Sequence, residues 1–351
     1  MKVNRMEFLS LLKALSPAIA NERNAVRELS HIWMDGIHIS AFNDLLGIQI
    51  DFPTDFTGGV LGEKLIGIIE RSQADTVDVN VDNDAMLLKI GRANIKLECR
   101  PIEDWFWKPQ VPEEPGYAVT QKFREAVELL LISVGSSNVE NPEQRGITVI
   151  QDKTGADLYS TDAVTLSWFR IDTGNKPVVV VGTRLIMPTV FTEQLIKLGE
   201  AELCFDENAV YCLTEIEPTG EKGNRYDMLV FSKLVADENP VSFTDVVNQH
   251  VTDYEGVAVP AALKAQIERA MVLLTEEPLN VEVKDNDLHL YAQTPYGTID
   301  DHLELSHPNV KAKLDAALLN RALEGRELIV LSTEAVVLRG PGAFLHIVAA
   351  K

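Results

Sequence analysis

The sequence predicts an α+β chain built from three tandem domains of one kind, each with helices packed on antiparallel sheets. Three observations carry that expectation. One hairpin pattern occurs three times, a second hairpin unit recurs beside it, and amphipathic helical stripes flank both. Elements with a single apolar face bury it by packing in layers.

The first pattern reads apolar–x–apolar, three polar residues, then alanine and an apolar run. It fits Val79–Leu88, Leu203–Cys212 and Ile329–Leu338, whose alanines Ala85, Ala209 and Ala335 lie 124 and 126 residues apart. Alternation, a polar turn and a β-rich run predict a hairpin. The second unit is Ile32–Ile39, turning at Asp35-Gly36. It returns as Thr148–Tyr159 around Lys153-Thr154-Gly155, and as Val281–Leu290 around Lys284 to Asp287.

Helical stripes come next. Phe8, Leu11, Leu12 and Leu15 share one face, as do Phe123, Val127, Leu130, Leu131 and Val134. Leu263, Ile267, Ala270, Met271 and Leu274 repeat the second spacing. A further helix is predicted before each closing hairpin, at 61–72, 188–199 and 308–322, with Pro188 and Pro308 in the first turn of theirs.

These elements place domains at 1–110, 117–247 and 254–351, with joints at Lys108–Gly116 and Asn248–Gly256. Three like domains form either a simple array or half of a closed ring with two-fold symmetry. The composition, 46% apolar and 24% charged over 351 residues, is that of globular chains. Cys99, Cys204 and Cys212 lack paired spacing and read as buried, reduced thiols rather than a disulfide framework or zinc site. Met1–Arg5 leads into no apolar signal block, and no run approaches a membrane span, so a cytoplasmic protein is expected.

The net charge of −21 argues against nucleic acid, which needs Lys and Arg at its phosphates. The distribution qualifies this. Six predicted helices (5–16, 61–72, 119–134, 188–199, 259–276, 308–322) carry +3 and the rest of the chain −24. Helices lining a hole would attract phosphate weakly while acidic sheets repel it elsewhere. Ordinary solvated helix faces give the same split.

Set in register, these features resemble the bacterial β sliding clamp family, the processivity subunit of a replicative polymerase. Val60-Leu61-Gly62-Glu63-Lys64 through Ile69 is similar to that family's second helix. Leu97 through Trp105 resembles the strand and acidic turn that close its first domain. Gly146 through Asp162 resembles the hairpin leading into its Thr-Asp-Gly-His-Arg-Leu motif, which here reads Thr161-Asp162-Ala163-Val164-Thr165-Leu166. Ser232-Lys233-Leu234-Val235, with Pro240 and Phe243, resembles the strand and turn entering domain three.

The resemblance implies three clamp domains per chain forming half of a ring, with helices inside and sheets outside. It implies double-stranded DNA threaded without sequence readout, a homodimer, a replicative DNA polymerase and a clamp-loader ATPase as partners, and no cofactor or catalytic residue. It places Thr161, Leu166, Pro240, Val246, Ile347 and Val348 in an apolar cleft for partner peptides. This sequence departs there: the Gly, His and Arg of the motif are absent, and the usual Met-Pro-Met-Arg end is Val348-Ala349-Ala350-Lys351. Ordinary inter-domain packing is the alternative for those residues. Ile95 and Leu97 on one sheet edge, and Val272 and Leu273 on the facing helix, are implied at the dimer interface; intradomain core is the alternative. Arg23, Lys64, Lys122, Arg124, Lys264, Lys311 and Lys313 are the implied DNA-facing residues, with solvated surface as the alternative for each.

Other motifs lead nowhere at this level. Asp78–Asp82 mimics a calcium loop but has Asn83 and Lys89 where Gly and Glu are needed. Asp300-Asp301-His302 with His307 reads as strand-end and loop polar surface, not a metal site. Trp105 and Trp107 read as packing over the first joint rather than as base-stacking platforms. Two rival readings stay open: a clamp-fold decoy or regulatory paralogue that binds partners without encircling DNA, and an unrelated α+β enzyme.

Overall fold

The computed structural model describes all residues except 83, 114–115, 136–138, 174–176, 220–222, 237–241, 251–255, 276 and 341–343. In chain order the elements begin with β1 (Lys2–Asn4), α1 (Arg5–Leu15), β2 (His31–Met34), β3 (His38–Phe42), β4 (Leu46–Asp51), β5 (Gly58–Leu61) and α2 (Gly62–Glu70). Next come β6 (Thr76–Asp82), β7 (Ala85–Ile90), β8 (Ala93–Glu98), β9 (Tyr117–Ala118), α3 (Gln121–Leu130), β10 (Gly146–Gln151), β11 (Gly155–Thr161) and β12 (Thr165–Asp172). Then follow β13 (Arg184–Pro188), α4 (Thr189–Leu195), β14 (Ala201–Phe205), β15 (Ala209–Ile216), β16 (Tyr226–Lys233), α5 (Phe243–His250), β17 (Val257–Ala258) and α6 (Leu263–Met271). The chain closes with β18 (Leu279–Lys284), β19 (Asp287–Thr294), β20 (Gly297–Glu304), β21 (Val310–Leu314), α7 (Ala316–Ala322), β22 (Leu328–Leu331), β23 (Ala335–Arg339) and β24 (Phe344–Ala349).

Two compact units result. Met1–Thr120 with Glu193–Leu234 hold a four-stranded sheet, β1-β6-β7-β8, and an eight-stranded sheet, β5-β2-β3-β4-β16-β15-β14-β9. Gln121–Thr192 with Val235–Lys351 hold β20-β19-β18-β21 and β13-β10-β11-β12-β24-β23-β22-β17. Every strand pairing is antiparallel. The fold class is α+β, as the sequence pattern predicts.

Each eight-stranded sheet fuses two four-stranded halves. In both, the junction joins the last strand of one three-strand meander to the last strand of another: β4 to β16, and β12 to β24. The three pattern alanines each open the second strand of a hairpin and are buried. Helices bury most of the predicted stripes, while Leu131, Val134 and Leu274 lie past the ends of α3 and α6 and are only partly buried. Phe8, Leu11, Leu12 and Leu15 of α1 are at most 1% exposed, each contributing about 1.5–3 kcal/mol by burial. Asn4 caps that helix, accepting from the N–H groups of Met6 (2.9 Å) and Glu7 (3.2 Å). Residues 121–128 and 261–268 share one burial sequence, and both stretches bury the residue before the candidate cation, Phe123 and Leu263.

One turn device recurs. A short polar side chain accepts the N–H three residues on: Asp35 from His38 (2.6 Å), Asn43 from Leu46 (2.8 Å), Asp152 from Gly155 (2.8 Å) and Asp206 from Ala209 (2.7 Å). Ser332 does the same for Ala335 at 2.9 Å. Asp152 also accepts from the Thr154 N–H and pairs with Arg170, which holds its carboxyl well below the usual carboxylate range.

Several expectations are corrected. Residues 308–314 are not helical: Val310, Ala312 and Leu314 alternate inward, so Val310–Leu314 is a strand and Pro308 precedes it. Pro188 ends β13 instead of entering α4. α2, α4 and α6 stop short of Arg71, Lys197 and Val272. The α-helices as folded therefore carry as many Asp and Glu as Lys and Arg, not a surplus of +3. Cys99, Cys204 and Cys212 are buried free thiols.

Trp105 and Trp107 are buried in the first unit. Trp105 stacks on Trp33 (5.1 Å) and Trp107 on Phe42 (5.4 Å). The indole of Trp107 lies directly over Gly47, where a Cβ would fall 2.3 Å from the ring.

Candidate functional site

β11 and β12 are joined by a tight turn whose geometry comes from Asp162. Its Oδ1 accepts the N–H groups of Val164 (3.0 Å) and Thr165 (2.6 Å). Ala163 consequently sits at φ 73°, a left-handed conformation that glycine adopts freely and alanine does not. The turn delivers Leu166 opposite Ile347 across the β12–β24 junction. α5 brings Phe243 and Val246 to the same place, and together these side chains bound a cleft of about 320 Å³. Tyr159 stacks on Phe243 at 5.1 Å, and the Arg184 guanidinium lies 5.3 Å over that ring. Arg184 is paired with the buried Glu143 at 3.0 Å beneath the cleft wall, and Thr161 and Glu334 supply the polar rim. An apolar floor with few polar anchors suits apolar side chains of an extended peptide.

Of the residues assigned to a cleft by sequence, Thr161, Leu166, Val246 and Ile347 meet here. Val348 does not. Strand alternation turns it to the opposite face, into the core of Leu263, Ile267 and Leu319. Pro240 lies outside the described residues. Sequence reasoning missed Phe243, Ala335 and Glu143 as cleft residues. Phe243 was legible as the apolar residue three positions after Pro240, but Glu143 has no local signal.

Behind the cleft runs a buried polar chain. Thr165 Oγ1 lies 2.9 Å from Asp162 Oδ1 and 3.1 Å from Ser133 Oγ. Ser133 lies 2.7 Å from Ser167 Oγ, which lies 2.7 Å from Nδ1 of His346. Burial pushes the His346 imidazole down to about 3, with Arg326 and Arg321 acting in the same direction, so it is neutral.

The proposed DNA-facing residues fall on different elements. Arg23 is exposed in a turn, its N–H donating to Asn21. Lys64 on α2 pairs with Glu22 at 3.0 Å. Lys122 and Arg124 lie in the first turn of α3, and Lys264 at the start of α6 faces Glu324 at 3.9 Å. Lys311 and Lys313 are corrected from helix to strand: they occupy the solvent face of β21, and Lys311 pairs with Glu282 on β18 at 3.0 Å.

Ile95 and Leu97 are half-buried on β8, the edge of its sheet. Val272 caps α6 and is 83% exposed, and Leu273 follows it half-buried. His307 is not surface: it is buried, its Nε2 accepting the Leu331 N–H (2.9 Å) while Nδ1 faces the Pro308 carbonyl (2.8 Å).

No family model matches the chain. Solved structures match along its whole length. The DNA polymerase III beta chain of Streptococcus pneumoniae is 14% identical with a TM-score of 0.84, over 100% of this chain and 98% of that one. The chain has the sliding-clamp fold. A DNA polymerase sliding clamp from Pseudomonas aeruginosa gives 17% identity and a TM-score of 0.82 over 100% and 99%. The Helicobacter pylori beta clamp, solved with a DNA ligase peptide, gives 14% and 0.81 over 100% and 99%. The clamp fold accounts for the repeated hairpins and the fused sheets. Among the described residues no helix is long and apolar enough to cross a membrane.

Proposed function

We propose that this chain is a cytoplasmic DNA sliding clamp, with clamp domains at 1–110, 117–247 and 254–351 and no catalytic residue. Two copies close a ring around duplex DNA, a clamp-loader ATPase opens it, and a replicative polymerase and other partners dock at the β12–β24 cleft. The observation that carries this reading is the sheet arrangement. Both eight-stranded sheets join meander-terminal strands, and the four-stranded sheets leave the corresponding strands, β8 and β20, as edges. Repeating the same junction between two chains covers both edges, which are otherwise an aggregation hazard. Ile95 and Leu97 on β8, with Val272 and Leu273, would then line the contact.

The neutral helices enter this reading through contrast. Strands, turns and loops carry the whole charge of −21, so the helical face is the least repulsive one toward phosphate. Lys64, Lys122, Arg124 and Lys264 are its candidate phosphate neighbours, with Arg23 on a nearby turn of the chain as a fifth.

The test compares retention on nicked circular and linear DNA after loading. A ring stays on the circle and runs off free ends; equal retention defeats the proposal. The double variant Ile95→Asp, Leu97→Asp is expected to convert a dimer to a particle of 38.9 kDa in sedimentation and to abolish retention on circles.

A second reading, a clamp-fold regulator that binds partners without encircling DNA, is favoured by the altered motif at Ala163. A 38.9 kDa wild-type particle at micromolar concentration would select it.

A further inference from the structure

Alternation along the β19–β20 hairpin sends Leu288, Leu290 and Leu303 inward and leaves Asp287, His289, Asp300 and His302 on the solvent face. His289 pairs directly with His302 across the two strands, and their imidazoles stack at 4.4 Å with 5° between planes. Asp300 stands two residues before His302. Its Oδ1 lies 2.8 Å from Nε2 of His289 and 3.3 Å from Nε2 of His302. One donor atom from each of the three residues falls within 4.8 Å of the others.

We propose that His289, His302 and Asp300 form a binding site for a divalent transition-metal ion, with zinc as the ion tested, and that Asp287 positions His302. Four-coordinate zinc with bonds of about 2.0–2.1 Å holds neighbouring donor atoms about 3.3–3.4 Å apart. The two Asp300 separations are near that spacing, and the parallel imidazoles must turn about their Cβ–Cγ bonds for both Nε2 lone pairs to converge on one ion. Two imidazole nitrogens and one carboxylate select a transition metal over magnesium or calcium, which prefer all-oxygen shells. Three protein ligands leave a fourth position to water.

A second observation supports the assignment. Asp287 Oδ2 lies 2.6 Å from Nδ1 of His302, on the ring nitrogen turned away from the cluster. A carboxylate taking the Nδ1–H fixes the tautomer that leaves Nε2 as a lone-pair donor, which is the usual arrangement behind a metal-bound histidine. The scaffold is two paired strands, so the donors are held by backbone register rather than by a loop. Sequence reading grouped Asp300, Asp301, His302 and His307. The fold removes His307 to the core, pairs Asp301 with Arg269 (3.0 Å), and brings in His289 from the neighbouring strand.

Calorimetric titration of the full chain with zinc chloride tests this, with magnesium chloride as the comparison. One saturable zinc site per chain and none for magnesium is expected. The double variant His289→Ala, His302→Ala should lose that site, and each single variant should weaken it tenfold or more. Asp287→Asn should weaken zinc by about tenfold or more, as loss of such an orienting carboxylate does. Cobalt(II) should give the intense visible absorption of a four-coordinate site in the wild type only. Metal-free melting curves of all variants should match the wild type, because the substituted side chains are at least partly exposed. Absence of a saturable zinc site in the wild type, or its survival in the double variant, overturns the proposal. An unchanged Asp287→Asn affinity removes Asp287 from it.

Discussion

The two sheet junctions are the same structure finished in two ways. In the first unit, Phe42 pairs with Gly47 around a turn whose Asp44 sits at φ 78°, and Gly47 faces Phe231 across β4–β16. In the second, Thr161 pairs with Leu166 around a turn whose Ala163 sits at φ 73°, and Leu166 faces Ile347 across β12–β24. Position for position these correspond. Yet the first junction is roofed by the chain itself, with Trp107 lying on Gly47, while the second is open as a cleft. A bare glycine admits an indole from the following segment, and a leucine at the same place leaves an apolar floor for something else. An open cleft can thus arise at a repeat position simply where the chain does not cover itself.

Removing the roof gives the largest effect. Trp107→Ala should cost about 3–5 kcal/mol, as loss of a buried aromatic does, and expose a second apolar cleft detectable by an environment-sensitive dye. An unchanged urea midpoint would mean that Trp107 does not fill the first junction.

Acid should weaken the second junction selectively. His346 sits opposite Ser167 on the β12–β24 pair, and its folded-state value of about 3 lies below the ordinary 6.5. Between those values the unfolded chain binds the proton and the native chain does not, so stability falls as pH drops below 6.5. The slope is about 1.4 kcal/mol per pH unit, or about 2 kcal/mol by pH 5. His346→Gln should flatten that part of the profile of urea midpoint against pH. An equal slope in the variant would assign it elsewhere.

Charging the open cleft should act on binding more than on folding. Val246 is only partly buried. Val246→Asp is expected to weaken a labelled clamp-binding peptide more than tenfold in fluorescence polarisation, with little change in melting temperature. The smallest effect sharpens the turn comparison. Ala163→Gly should stabilise by about 0.5–1 kcal/mol, because relief of left-handed strain exceeds the entropy added to the unfolded chain. Asp44→Gly should gain less, since aspartate tolerates that conformation better.

Much of this architecture was legible because it rests on local periodicity. The three alanine hairpins and the stripes of α1, α3 and α6 are short-range patterns, and short-range patterns survive folding unchanged. Residues 308–314 misled because Pro308 followed by spaced apolar residues fits a helix start as well as a strand, and only pairing with β18 decides between them. The cleft was half legible. Thr161, Leu166 and Ile347 lie on strands whose register the repeat fixes, whereas Glu143 reaches the site through Arg184, a contact between distant segments. Val348 was assigned to the wrong face because a two-residue period makes neighbouring positions point apart. The imidazole pair was invisible for the same reason: His289 and His302 are thirteen positions apart in sequence and adjacent only through strand register.

The polar clasps that close the hairpins have an evolutionary corollary. Asp35, Asp152, Asp162 and Asp206 each latch a loop through one oxygen, and an asparagine oxygen could serve as well. Electrical character and the latch itself are therefore separable, although the exchange also removes the second oxygen that faces Arg170 at Asp152 and Arg321 at Asp162. A lineage could tune the charge of these turns, one amide exchange at a time, while leaving the strand pattern that defines the molecule untouched.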